Sequence, residues 1–317
     1  MTGGTGRTGG QGSTGGTGGS GGALLVVGDV VTDVVARHRA PLAPATDTAA
    51  RISTLPGGAG ANVACWAARS GAPDVRILAR VGADAAEWHA RALRAAGVRP
   101  YLVVDRDAPT GTVVCLVGAD GERTFLTDSG AVVRLSAADW RDELLDGVGR
   151  LHLSGYLFFA GTSREAARTA LEAARARGVP VSVDPASAGF LAGFGVDRFL
   201  AAVAGADVLL PSRDEAALLT GLPEPADAAA KLSRLFPLVA VTQGARGAVV
   251  ARSGAAVVHV PAGPASVVDT TGAGDAFSGA FLAALLSGLD AAGAAYRGCR
   301  AGAEAVGRVG GRPYRPA

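Results

Sequence analysis

Short apolar segments that alternate with helical patterns predict an α/β fold. The expected architecture is a doubly wound, mainly parallel sheet covered by helices on both faces, with a small β-sheet lid. Three observations carry this. The segments "ALLVV" from 23, "LHL" from 151, "VSVD" from 181, "DVLLP" from 207 and "LVAVT" from 238 are continuously apolar rather than alternating, as strands buried on both faces are. Helical patterns stand between them. Two half-polar, β-rich segments, about 33–56 and 99–127, contain no helix pattern and are assigned to the lid.

Taken in order, "ALLVVGD" (23–29) reads as a buried strand ending in a glycine turn. "GAGANVACWAARSG" (58–71) is a glycine turn opening a helix. Its Val63, Trp66, Ala67 and Ser70 recur at i, i+3, i+4 and i+7, and Gly71 stands as the C-terminal stop. The lid segments carry turns such as Asp120-Gly121. Thr162 with Glu165 predicts a capping box for the helix ending at Gly178, and Ser212 with Glu215 predicts another before "AALLTG".

Composition bounds the possibilities. With 317 residues, 49% of them hydrophobic, the chain can bury one large core. Residues 1–22, rich in Gly, Ser and Thr, lack an apolar stretch and are read as a disordered tail rather than a signal peptide, which leaves 23–317 as one domain. A net charge of +2 without a basic block argues against nucleic acid. The densest apolar run, Ala276 to Leu286, is too short for a membrane span. Cys65, Cys115 and Cys299 are scattered and odd in number, the pattern of reduced thiols, so a cytoplasmic location is expected.

"VVDTTGAGDAFSGAFLAALLSG" (267–288) carries the chemistry. Gly272, Ala273 and Gly274 leave three successive backbone N–H groups unobstructed at a helix start, where unpaired donors and the macrodipole favour an anion. Asp275 sits beside them in the first turn. Thr270 or Thr271 as a plain N-cap, with Asp275 as dipole compensation, is the structural alternative. Phosphoryl transfer to a hydroxyl uses such a set: backbone donors hold the moving group and a carboxylate takes the proton of the attacking alcohol. A Walker A loop is excluded because Ala230 precedes the single lysine, Lys231; Phe277 stands where a dinucleotide fingerprint needs its third glycine. The four histidines never pair at metal-ligand spacing.

A second glycine turn, "PGGAGAN" (56–62), would let backbone approach a ligand at Gly57 and Gly58, with Asn62 as donor and acceptor; a tight strand-to-helix loop explains it equally. Asp33, past the end of the first strand, could grip a vicinal diol or serve a turn. Asp184 in "VSVDP" stands at another strand end. Arg123 in "DGERTF" is either a solvated hairpin charge or a group reaching a substrate anion.

"GGAGAN" near the N-terminus and "DTTGAGDAF" about two hundred residues later resemble the ribokinase-like, or PfkB, carbohydrate kinase family over Ala23 to Pro313. The resemblance implies a carbohydrate kinase using ATP and Mg²⁺, with Asp275 as catalytic base and the amides of Gly272, Ala273 and Gly274 as anion hole. It implies sugar binding by Asp33, Gly57, Gly58 and Asn62, and ATP binding by Thr242, Gly244 and Gly247 of "VTQGARG". It places Glu215 near Mg²⁺ through water, and Asp269 and Thr271 at a monovalent cation, K⁺. It also implies a lid that closes over the sugar and forms a homodimer contact. Two departures stand out: Ala59 replaces the lysine of GGKGAN, and Ser212 replaces the asparagine of Asn-x-x-Glu. A nucleoside kinase and a non-catalytic sugar or nucleotide sensor are the alternatives.

Overall fold

The computed structural model describes residues 21–118, 123–254 and 258–313. Residues 1–20 of the expected tail and the Asp120-Gly121 turn lie outside the described residues.

The chain opens with β1 (Ala23–Val27), every residue of which is buried. It then leaves the main body for an antiparallel pair, β2 (Val31–His38) and β3 (Ala50–Gly57), and returns through α1 (Ala59–Arg69), β4 (Val75–Gly82), α2 (Ala86–Ala95) and β5 (Val98–Asp105). A second excursion supplies β6 (Gly111–Val117) and β7 (Arg123–Asp128). Next come β8 (Val148–Ser154), α3 (Gly161–Ala176), β9 (Val181–Asp184), α4 (Ala188–Phe194), α5 (Val196–Ala202), β10 (Val208–Leu209), α6 (Arg213–Thr220) and α7 (Pro225–Leu232). The chain ends with β11 (Leu238–Thr242), β12 (Ala248–Arg252), β13 (Val258–Val260), α8 (Ala273–Leu286) and α9 (Ala291–Ala305).

Nine strands form one sheet in the order β13-β12-β11-β10-β9-β8-β1-β4-β5, parallel except for the pairings of β11 with β12 and β12 with β13. β1 lies between β8 and β4, so the winding reverses direction at its C-terminal end, where open α/β sheets place their ligands. Both faces are covered, which explains the continuous hydrophobicity of β1. Leu25 and Val27 belong to the core that also holds Ala166, Leu171, Phe199 and Ala228, whereas Leu24 and Val26 belong to the one that holds Val63, Leu93, Phe281 and Ala295. α8 is buried almost all round, and Gly279 lets α1 approach it: a Cβ there would lie 2.5 Å from the Val63 carbonyl oxygen.

The small sheet has the order β3-β2-β6-β7. It corrects the expected lid boundaries, because Val98–Asp105 is the edge strand of the large sheet, parallel to β4. At that edge Arg99, Tyr101 and Val104 are exposed, so β5 carries the half-polar pattern of a lid strand. The helix α2 that marks its crossover went unread in the sequence. The capping box at Thr162 is also absent. α3 starts at Gly161 after Ala160, with no side-chain cap, and Glu165 pairs instead with Arg168 one turn on. The box at Ser212 is present. No helix among the described residues is long and apolar enough to cross a membrane.

Candidate active site

The glycine turn after β3 is dictated by two aspartates. Asp29, buried just past β1, accepts from the amides of Ala59 (2.7 Å) and Gly60 (3.0 Å) and from Ser154 Oγ (2.7 Å), so its carboxylate satisfies the first orphan donors of α1. Sequence reasoning passed over Asp29, although its place directly after Gly28 at a strand end was a usable signal. Gly58 needs its positive φ of 99°, and a Cβ on it would meet the Asp29 carbonyl oxygen at 2.5 Å. A Cβ on Gly57 would fall 2.1 Å from Asp33 Oδ2. Gly57 therefore makes room for the Asp33 carboxylate.

Asp33 lies in β2, inside the small sheet rather than in the turn after β1, and faces the cleft. Burial pushes its carboxyl up to about 6, against the pull of Arg312 and with help from Asp29 and Asp269.

From the other end of the chain, α8 begins at Ala273, with Gly272 as an N-cap in the left-handed region (φ 74°) and no side-chain cap. Thr270 and Thr271 thus do not cap the helix. The Ala273 amide turns back to the Thr270 carbonyl at 3.3 Å. A Cβ on Gly272 would strike Gly311 Cα at 2.4 Å, whereas one on Gly274 would meet no protein atom within 4 Å. The fold requires the first glycine; at the second, the bare backbone faces open space.

Asn62 Nδ2 donates to Asp275 Oδ2 at 2.8 Å, so two residues singled out separately in the sequence form one pair between α1 and α8. Desolvation pushes the Asp275 carboxyl up to about 7; the Asn62 bond works against this, and Asp29, Asp33 and Glu215 add to it. A carboxyl near 7 is matched to accepting a proton at neutral pH.

A strap missed in the sequence, Gly310-Gly311-Arg312, crosses these elements. Gly310 N donates to Asp269 Oδ2 (3.1 Å), Trp66 Nε1 donates to the Gly311 carbonyl (2.8 Å), and Arg312 Nη2 donates to the Gly57 carbonyl (2.7 Å).

Asp184, at the end of β9, accepts from Ala186 N (2.7 Å) and Ser278 Oγ (3.3 Å). Burial first, then the charges of Glu215 and Asp275, hold its carboxyl well above the ordinary range. Glu215 is itself raised by burial, against its hydrogen bonds from Ser212 (2.7 Å from the amide). Two desolvated carboxyls, one of them raised further by the charge of the other, suit a divalent cation. Among the described residues no group of three or more His, Cys, Asp or Glu forms a metal cage, so water would complete such a shell. A carboxyl raised in the folded state gives stability that is full below its unfolded pKa and is lost as pH rises toward the folded one. Asp184→Asn is therefore expected to raise Tm in metal-free buffer by several degrees at pH 8 and by less at pH 5. Melting curves of both proteins across that range check this, and a pH-independent difference would contradict it.

Thr242 pairs with Ser212 in an isolated bridge, its amide donating to the Pro211 carbonyl at 3.0 Å. Gly244 (φ 58°) and Gly247 (φ 90°) shape the turn that follows, and a Cβ on Gly247 would collide with the Val260 carbonyl oxygen at 2.0 Å. None of these three lines the cleft that holds Asp33 and Asp275.

Asp269 and Thr271 do line it, and they are engaged. Arg123 Nη1 donates to Asp269 Oδ1 (3.3 Å) and Thr271 Oγ1 (2.8 Å), and Arg123 Nη2 donates to Thr270 Oγ1. Arg123 is thus not a solvated hairpin charge.

The cleft measures about 1110 Å³. Asp29, Asp33, Asn62 and Asp275 line it, and Tyr156, Phe159, Phe190 and Phe194 form an aromatic wall of the same cleft.

Comparison with known proteins agrees with this geometry. A fructokinase from Klebsiella pneumoniae is 36% identical over 283 residues, covering 84% of each chain. The bifunctional protein HldE of Pseudomonas putida (strain GB-1) is 34% identical over 84% of this chain, which spans 56% of that relative's length. Among solved structures, adenosine kinase from Sinorhizobium meliloti superposes with a TM-score of 0.84 at 27% identity, covering 92% of this chain and 96% of that one. A ribokinase II described in complex with ATP and Mg²⁺ from E. coli gives 0.81 at 26%, covering 92% and 94%. The sequence pattern described as pfkB family carbohydrate kinase matches residues 23–317. With Asp275 and its uncapped helix facing Asp33 across one cleft, and with these matches, the chain belongs to the pfkB family of carbohydrate kinases.

Proposed function

We propose that the protein transfers the γ-phosphoryl group of ATP to a hydroxyl of a small sugar or sugar-like substrate, with Asp275 as general base. One observation carries the reading: a carboxyl poised near 7 stands beside a helix start that has no side-chain cap and open space above Gly274. Asp33 would grip a pair of neighbouring hydroxyls, with Asn62 holding Asp275 in place. Asp275 takes the proton as the hydroxyl oxygen bonds to the γ-phosphorus and the bond to the β–γ bridging oxygen breaks, releasing ADP. The amides of Gly272 and Gly274, with Ala273 partly committed to its turn, would receive the charge on the moving group. Thr242, Gly244 and Gly247 would flank ATP outside the sugar cleft. Glu215, with Asp184, would hold Mg²⁺ through water, and the ion when bound supplies neutralisation of phosphate charge.

The small sheet would act as the lid, excluding water from the cleft. Its unpaired edge strands β3 and β7 carry exposed Ile52 and Leu126, and we read them as a homodimer contact. A monomer in sedimentation, unchanged by Ile52→Lys, would refute that contact.

The aromatic wall favours one second reading, a nucleoside kinase, because Phe159 and Phe190 stack with centroids 5.5 Å apart where a base could extend from the ribose. ADP release with Mg-ATP across ribose, fructose, 2-keto-3-deoxygluconate, adenosine, cytidine and pseudouridine decides between them. A sugar signal supports the first reading and a signal from nucleosides alone the second. Silence despite ATP binding would leave a sugar or nucleotide sensor.

A further inference from the structure

The loop before the anion-hole helix carries a buried negative charge, and the structure supplies its counter-charge from the lid. The Asp269 side chain is only 6% exposed. Its Oδ1 accepts from Thr271 N (2.9 Å) and from Arg123, and its Oδ2 accepts from Gly310 N (3.1 Å), with Arg37 Nη2 of β2 at 3.8 Å. Burial would raise this carboxyl, but the hydroxyl and amide of Thr271, the Gly310 amide and Arg123 outweigh it and hold it below its usual value. Arg123 is fixed in turn by three acceptors on one loop and stands over the Phe125 ring at 5.7 Å.

Asp269 and Thr271 are the pair expected to hold a monovalent cation. They do not fit one as they stand, because the carboxylate oxygens and the Thr271 hydroxyl are already taken by N–H donors. A cation there would have to displace a guanidinium, which brings the same charge with directional donors and is carried on the chain.

We propose that Arg123 is a built-in cation for this loop, replacing a monovalent ion and positioning the amides of the anion hole. Because Arg123 sits at the start of β7, the compensation is complete only when the small sheet rests against residues 269–271. Arg123 thus couples the position of the lid to the geometry of the site. It acts through the loop, as a positioning residue.

The kinetic part of the test rests on the proposed kinase reading; the thermal part does not. Full-length protein is compared in KCl and in tetramethylammonium chloride at equal ionic strength, by Tm and by ADP release. Wild type is expected to show the same Tm and rates within about twofold in the two salts. Arg123→Met is expected to lose roughly tenfold or more in kcat. It should also become salt-selective, with Tm and rate partly restored by K⁺ or by millimolar guanidinium and not by tetramethylammonium. Wild type that K⁺ stabilises or activates severalfold would overturn the proposal. So would an Arg123→Met protein that neither K⁺ nor guanidinium restores, whatever its activity. If wild type proves inactive on every substrate, the Tm response alone decides, and failure of the kinase reading stays distinct from failure of this one.

Discussion

Asp275→Asn is expected to lower kcat by roughly 10²–10⁴-fold while substrate and ATP affinities stay within a few fold. The geometry favours a clean result. Asn62 Nδ2 donates to Asp275 Oδ2 at 2.8 Å, and an asparagine at 275 can turn its carbonyl oxygen to accept the same bond. The substitution removes the proposed proton acceptor and leaves the α1–α8 contact. pH dependence supplies a second readout. With the carboxyl at about 7, wild-type kcat/KM should rise with pH through neutrality, since the base works only when deprotonated. The variant's residual activity should lack that limb. Equal losses of binding and rate would instead assign Asp275 a structural role.

Gly274→Ala and Gly272→Ala should fail in opposite ways. At 274 an added methyl meets no protein atom, and alanine is a better helix residue than glycine, so Tm should hold or rise slightly. The methyl would occupy the space above the helix start, and kcat should fall by roughly 10²–10³-fold, the scale of losing a donor to the transferring group. At 272 the backbone sits at φ 74° and the new Cβ would lie 2.4 Å from Gly311 Cα. That change should cost on the order of 1–3 kcal/mol of stability, with rate loss following from the displaced strap. Full activity in Gly274→Ala would refute the anion-hole reading; a large drop in its Tm would show that the protein itself fills the space.

The parts of this architecture that were legible share a local cause. Continuous apolar runs, glycines at helix starts and the Ser212–Glu215 box each express their physics within a few residues. β5 was misread because an edge strand of a parallel sheet exposes one side and so carries the pattern of a lid strand. At Gly57 the sequence did not show that the missing side chain leaves room for Asp33, a neighbour only through the pairing of β2 with β3. The partners of Arg123 were illegible, and Arg312 went unread, because the partners of the two lie 146 to 148 and 255 positions away. Charge on a hairpin or after a glycine pair looks the same whether it meets solvent or a buried carboxylate.

The strap has a consequence in time as well as in space. Asn62 meets Asp275 across 213 positions, Trp66 meets Gly311 across 245, and Arg312 meets Gly57 across 255. Closing loops of that length is among the costlier entropic steps in folding, and helices and neighbouring strands can form before it. The core contact of Gly279 in α8 with Val63 in α1 spans a similar distance, so the site is expected to take shape only as α8 docks on α1, and elements already formed elsewhere in the chain would stay inert until then.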